Sequence, residues 1–178
     1  MASLMKKRTF YFFLGLLASF FLLMFMPLKE NYVFINNENN QVAAYLPLTD
    51  LSFQIKYTHT IHLSDVIESY QVLQDNTLMA TELEYEDFNI GMPSNAEKGE
   101  RFVEKDGKYF IKNMQRKMPE FRLFIGDVES ELSLLTNHEK FDLKKTLERG
   151  TSYTVKVQRL SIFQQLKGES LSEQESAA

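Results

Sequence analysis

The chain has 178 residues, no cysteine, no tryptophan and a formal charge of -4 at neutral pH. That length suits one domain, and the lack of cysteine excludes disulfides, thiolate metal sites, a cysteine nucleophile and a lipid-modified N-terminal cysteine. Lys6, Lys7 and Arg8 precede the first acidic residue, Glu30, so the chain beyond residue 26 carries 17 basic against 24 acidic side chains with no basic cluster. That balance argues against nucleic acid as a partner.

Residues 10–26, FYFFLGLLASFFLLMFM, are uncharged, with only Ser19 polar. As a helix they cover roughly 25 Å at ~1.5 Å per residue, just short of the ~30 Å hydrocarbon core. The expectation is a single-pass signal anchor in a cell membrane. Residues 1–9 form a cytoplasmic tip, because a basic flank stays inside, and the rest of the chain lies outside. A cleaved signal peptide is the competing reading. Against it, the apolar run is longer than a usual signal core, and Pro27, Leu28, Lys29 and Glu30 follow where small residues would be cut.

Residues 27–44 hold a short apolar patch and an asparagine-rich stretch, read as a linker or a first edge strand. The β domain is expected over residues 45–166. Residues 42–48 form a candidate strand, with Pro47 demoting its end to an edge or bulge. From Leu51 to Ile61 the odd positions Leu51, Phe53, Ile55, Tyr57, His59 and Ile61 alternate with Ser52, Gln54, Lys56, Thr58 and Thr60. A period of two marks a strand with one buried face. After the polar turn HLSD, the even positions Val66, Glu68, Tyr70 and Val72 form the facing row of a second strand. A four-residue loop at 62–65 would set Ile61 against Val66, His59 against Glu68 and Tyr57 against Tyr70. A two-residue loop would set His59 against Tyr70.

Asp75 and Asn76 make the next turn, and residues 78–88 read as a third strand, with Met79, Thr81, Leu83 and Tyr85 on one face and Glu82, Glu84 and Glu86 on the other. Residues 89–100, with Gly91, Pro93 and Gly99, form a loop. Asp106-Gly107 joins two strands and is the strongest hairpin signal in the chain. Further strands are expected at 121–125, 132–135 and 151–163. A short helix at 141–149 carries Leu143 and Leu147 and is capped by Gly150. Residues 167–178 are polar and read as a disordered tail. Seven to nine short strands joined by turns predict an all-β antiparallel sandwich or barrel behind one N-terminal transmembrane helix.

The string YTHTIHLSDVIESY, residues 57–70, resembles the opening motif of a small exported bacterial family, domain of unknown function 1850. Its members typically show Tyr-x-His-Ser/Thr and a glutamate about nine residues after the histidine. Gly91 and Pro93 after Phe88, the Asp106-Gly107 hairpin, and Asp142, Leu143 and Gly150 follow the same pattern in order. The resemblance covers about residues 45–160. Where the family usually has a longer Gly-Ala-Gly-Leu-Pro-like loop, this chain has Ile90-Gly91-Met92-Pro93. The family lacks an established enzymatic activity. Its genes often sit beside TRAP-type transporters that use a TAXI-class solute receptor, so the resemblance implies an accessory or partner role in solute uptake.

Among candidate sites the His59–Glu68 pair comes first. A buried charge is costly unless paired, and a facing carboxylate favours the charged form of an imidazole. The pair serves either as a core contact that sets strand register, as a ligand or partner anchor, or as a general base. With Tyr57, Tyr70 and Arg116 it forms the candidate binding set. Arg101, Arg116 and Arg122 are scattered, and any of them could hold a carboxylate or reach Glu68 through its bidentate fork. His59 and His62 are three apart and point to opposite faces of a strand, which argues against one shared metal ion. Glu82, Glu84 and Glu86, with Asp87 nearby, could offer oxygens to calcium, or form a solvated face that guards the sheet edge. No nucleophile elbow, phosphate loop, dinucleotide fingerprint or zinc-protease helix is present, and no cofactor is implied. The chain therefore reads as an anchored binding module rather than an enzyme, engaging a transporter subunit or solute receptor. The alternative is a free-standing ligand-binding or hydrolytic surface protein using His59 and Glu68.

Overall fold

The structure, a computed structural model, describes residues 2–59, 63–86, 93, 95–137 and 139–173, with side chains from residue 10 onward. In chain order the elements begin with α1 (Ala2–Phe25), β1 (Lys29–Asn36), β2 (Val42–Pro47), β3 (Ser52–Thr58), β4 (Asp65–Val72) and β5 (Leu78–Tyr85). Then follow β6 (Arg101–Lys105), β7 (Lys108–Met118), β8 (Phe121–Phe124), β9 (Leu132–Leu135), β10 (Lys140–Asp142) and α2 (Leu143–Thr146). The chain closes with β11 (Ser152–Leu160), α3 (Ile162–Gln165) and β12 (Glu169–Ser170). The strands form a five-stranded sheet, β12-β2-β1-β11-β8, and a seven-stranded sheet, β10-β9-β3-β4-β5-β7-β6. Every pairing is antiparallel except β12 on β2. The fold is thus an all-β sandwich, with twelve strands among the described residues rather than seven to nine.

The core lies between the sheets. Tyr32, Phe34, Tyr153 and Val155 from the first meet Phe53, Ile55, Tyr70 and Ile111 from the second. Three expectations need correction. Residues 27–44 are no linker or edge, because β1 lies between β2 and β11. Asn31, Tyr32, Val33 and Phe34 are buried in succession, and a strand covered on both faces does not alternate. The asparagine-rich stretch is its turn: the Asn40 amide donates to the Asn36 carbonyl, and Asn40 takes a positive φ of 56°. Nor is the C-terminal segment without structure through residue 173. Ser161 and Gln164 form a reciprocal capping box at α3, Glu169–Ser170 pair with β2, and Leu171 is fully buried.

The third correction concerns β5. Its register shifts between Ala80 and Glu82, so Leu78 and Ala80 point inward before the shift and Leu83 and Tyr85 after it. A bulge changes the face presented, which a single alternation across the strand misses. Asp106-Gly107 makes the two-residue turn between β6 and β7, both residues at positive φ, as its composition requires. The helix expected at 141–149 shortens to one turn, with the Asp142 side chain accepting from the Lys144 amide as its N-cap and Gly150 at a φ of 76° beyond it.

At the other end of the chain, α1 runs 24 residues. Among the described residues no helix is long and apolar enough to cross a membrane. The large apolar side chains of α1 are exposed on all sides, as Phe12 (66%), Phe20 (60%) and Leu22 (74%) illustrate. Its C-terminal end meets α3, where the rings of Phe25 and Phe163 are 4.8 Å apart.

Candidate functional site

The β3–β4 hairpin keeps the faces that its alternation predicts but not the register. Thr58 pairs with Asp65, Tyr57 with Val66, Ile55 with Glu68 and Phe53 with Tyr70. His59 therefore lies outside the paired ladder, at the mouth of a six-residue loop closed by its amide donating to the Ser64 carbonyl at 2.8 Å. Residues 60–62, including Ile61 and His62, lie outside the described residues. The expected His59–Glu68 pair across the strands is not formed as a register pair, because the strands are offset by four residues from the four-residue-loop alignment. An even offset leaves every side chain on its face, so alternation alone cannot choose among such registers.

Two phenols meet the Glu68 carboxylate. Tyr57 Oη donates to Glu68 Oε1 at 3.3 Å, and Tyr70 Oη donates to Glu68 Oε2 in a shorter contact. Burial, followed by the nearby Glu68 charge, pushes both phenols well above the usual tyrosine range. They stay protonated and act as donors. Tyr70 is held by rings on both sides: Phe53 stacks on it from β3, and Phe121 stacks on it from β8 in the other sheet, each centroid at 5.0 Å. Tyr32 adds an edge contact to Phe53 at 4.9 Å. The carboxylate is thus fixed by a hydroxyl belonging to the aromatic column that ties the two sheets together.

Glu68 and Tyr57 line a cleft of about 310 Å³ between the β3–β4 face and the edge strand β8. Ile55, Leu132, Phe121 and Leu123 line it with apolar surface, and the exposed Phe124 and Val128 border it. Two basic residues also line it. Lys144 Nζ is committed to the Val128 carbonyl (2.8 Å), the Ser130 carbonyl (2.7 Å) and Ser130 Oγ (3.1 Å), pinning the turn before β9. Arg122 is exposed and alternates with the core-packed Phe121 and Leu123, which turns it toward the outer face.

The acid beside the cleft, Glu131, is neutralised by neighbours. Lys56 Nζ lies 2.8 Å from Asp65 and 3.1 Å from Glu131, and Lys140 Nζ lies 2.7 Å from Glu131. Burial raises the Glu131 pKa, but hydrogen bonds from Lys140 and Lys56 outweigh it and hold the carboxyl below its ordinary 4.5. A depressed carboxylate contributes stability above its unfolded pKa, and that contribution is lost as pH falls through the folded one. The protein should therefore lose stability as pH drops below 4.5 toward the lower folded value of Glu131. Glu131→Gln should flatten that acid limb, as read by urea midpoints between about pH 6 and about pH 3.

Arg116 does not join this site. Its guanidinium forks onto Glu100, with Nε and Nη2 at 2.8 and 3.0 Å from the two carboxylate oxygens, and reaches Glu97 at 3.1 Å. Arg101 is exposed on β6, in register with Lys112. The acidic row on β5 is matched by lysines of β7: Glu82 with Lys112 at 3.1 Å, Glu84 with Lys108 at 2.7 Å, and Glu86 with Lys108 at 3.5 Å. Cross-strand pairing gives these carboxylates cationic neighbours, and surface pairs of this kind contribute little individually. Asp87, Phe88 and the Ile90-Gly91-Met92 loop lie outside the described residues. Sequence reasoning missed the apolar wall from Phe121 and Leu123. Their alternation in a short strand after Pro119 signals an inward face, but nothing local says that β8 crosses to the other sheet and packs over Tyr70.

The class is thereby defined as an antiparallel β-sandwich with a phenol-bracketed carboxylate in a cleft at one edge of the sheets. A family model described as Domain of unknown function (DUF1850) matches residues 53–143, just over half the chain, and the chain belongs to that family. The matched stretch starts in β3 and ends at the first residue of α2, so it includes Tyr57, Glu68, Tyr70 and Phe121. No curated protein and no solved structure matches the chain.

Proposed function

We propose that this chain is a membrane-anchored extracytoplasmic binding module, an accessory or regulatory partner of a TRAP-type solute transporter that engages its solute receptor or membrane component. The observation that carries the reading is α1, whose apolar side chains are exposed around the helix while a folded sandwich hangs from its end. Water is a poor solvent for such a surface, whereas hydrocarbon is a good one. The apolar stretch is a little short for a bilayer, and local thinning relieves a mismatch of this size. α3 extends the apolar zone at the helix end: Ile162 and Leu166 are exposed, Phe163 rests on Phe25, and Lys167 Nζ sits 4.7 Å from the Phe163 ring centre. Aromatic and lysine side chains suit the headgroup level. Lys6, Lys7 and Arg8 argue for a cytoplasmic N-terminus.

Anchoring raises the effective concentration of the domain toward a membrane partner, which favours a partner role over a freely diffusing one. The full chain is expected to float with liposomes and resist carbonate extraction, and a chain starting at residue 27 to remain in the aqueous fraction. Crosslinking in intact cells followed by mild-detergent purification should recover a transporter component. Recovery of none, or a mature N-terminus near residue 27, would remove the anchored-partner reading. A second reading, a surface protein that binds a small ligand by itself, is favoured by the cleft at Glu68.

A further inference from the structure

The geometry points to a ligand class for the cleft above Glu68: a small organic cation, an alkylammonium or guanidinium group carrying an apolar body. The inference rests on the reading of the domain as a binding module and specifies what one part of it binds. Charge is the first consideration. Among the described residues Glu68 makes no ion pair, and its two oxygens accept only from the phenols of Tyr57 and Tyr70. A carboxylate has about four lone-pair sites, so roughly two are left for a ligand. The other charges near the cleft are already answered, Glu131 by Lys56 and Lys140, and Lys144 by its three oxygen acceptors. Arg122, the other cation of the lining, sits on the rim, where β8 turns it to the outer face. The charge at the floor of the cleft is therefore the Glu68 carboxylate, held in place by two neutral donors.

Shape and surface narrow the class. A volume of about 310 Å³ falls at the small end of ligand pockets, which run roughly 300–1,000 Å³. The apolar walls, Ile55, Leu132, Phe121 and Leu123, suit an aliphatic or aromatic body. They do not suit a hydrated metal ion, since calcium asks for about 6–8 oxygens and this floor offers one carboxylate and two phenols. An anion seated on the floor would meet Glu68 head on, with Lys144 already committed to three oxygens and Arg122 out on the rim. An ammonium would instead form a charge-assisted hydrogen bond to the carboxylate, with the Tyr57 and Phe121 side chains beside it in the lining.

The test uses the full chain in nanodiscs of zwitterionic lipid near neutral pH, titrated with hexylammonium, hexanol and hexanoate, with the ring resonances of Tyr57 and Tyr70 as the readout. Hexylammonium is expected to saturate these shifts, hexanol to bind more weakly and hexanoate not to bind. Glu68→Gln should weaken hexylammonium by roughly 10- to 100-fold. Tyr57→Phe, which keeps the carboxylate, should weaken it less. Equal or tighter binding of hexanoate in the wild-type protein would overturn the proposal without recourse to any variant. So would unchanged hexylammonium affinity in folded Glu68→Gln. These results are separable from the transporter-partner reading: recovery of a partner without ammonium binding removes only the ligand class, and ammonium binding without a partner removes only the transporter role.

Discussion

Replacing Tyr70 by alanine is expected to destabilise the protein by roughly 3–5 kcal/mol, the largest effect of any single truncation at the site. The side chain is 6% exposed and lies between Phe53 and Phe121, stacked on both at 5.0 Å. Its removal opens a cavity at the point where the two sheets meet. It also separates two rings whose pairings add roughly 0.5–1.5 kcal/mol each beyond their buried area. The same substitution strips Glu68 of one of its two donors. Tyr70→Phe divides these contributions, because it keeps the stack and removes only the hydroxyl. That variant should cost about 1–3 kcal/mol, the cost of leaving a half-buried carboxylate short of a partner. Urea unfolding of the full chain, followed by tyrosine fluorescence, reads both. A loss in Tyr70→Ala no larger than in Tyr70→Phe would mean that the ring column does not join the sheets.

The second large effect is expected at the far end of the chain. Leu171 is fully buried in the core, and the segment leading to it crosses close above β2. A Cβ at Gly168 would stand 2.9 Å from Val42 Cγ1 and 3.3 Å from the Val42 carbonyl oxygen, so any larger residue there has to displace Val42. Leu171→Ala should cost about 2–5 kcal/mol. Ending the chain after residue 166 should cost at least as much and also uncover the hydrogen-bonding edge of β2, which β12 occupies in the intact protein. An uncovered edge pairs with other chains, so the shortened protein should associate in a concentration-dependent way, measurable by light scattering. A shortened chain with unaltered stability and mass would show that the C-terminal segment is dispensable to the sandwich.

The end of strand β2 at Pro47, the acidic row along β5 and the Asp106-Gly107 turn were legible because each is local. A proline at the end of a strand, a carboxylate at every second residue, and two residues suited to positive φ act within a few positions of the chain. β1 was not legible as an inner strand, since Asn31 to Phe34 show no alternation and only a partner sheet explains why all four are buried. The C-terminal strand escaped notice because two residues of ladder carry no period. A lone leucine in a polar stretch signals a core contact only when the rest of the core is in view.

The candidate site divides along the same line. The alternation of residues 51–61 and 66–72 determined that Tyr57, Glu68 and Tyr70 share a face, and the succession of short strands and turns determined an all-β domain after an apolar segment. Local period and side-chain chemistry are written into consecutive residues. Only the tertiary structure decided that Ile55, not His59, stands opposite Glu68, that Arg116 belongs to Glu100, and that Phe121 closes over Tyr70. The reason is physical: registers that differ by an even number of residues preserve every face. The choice among them is made by rings that stack across strands and sheets, between residues as far apart in the chain as 53, 70 and 121.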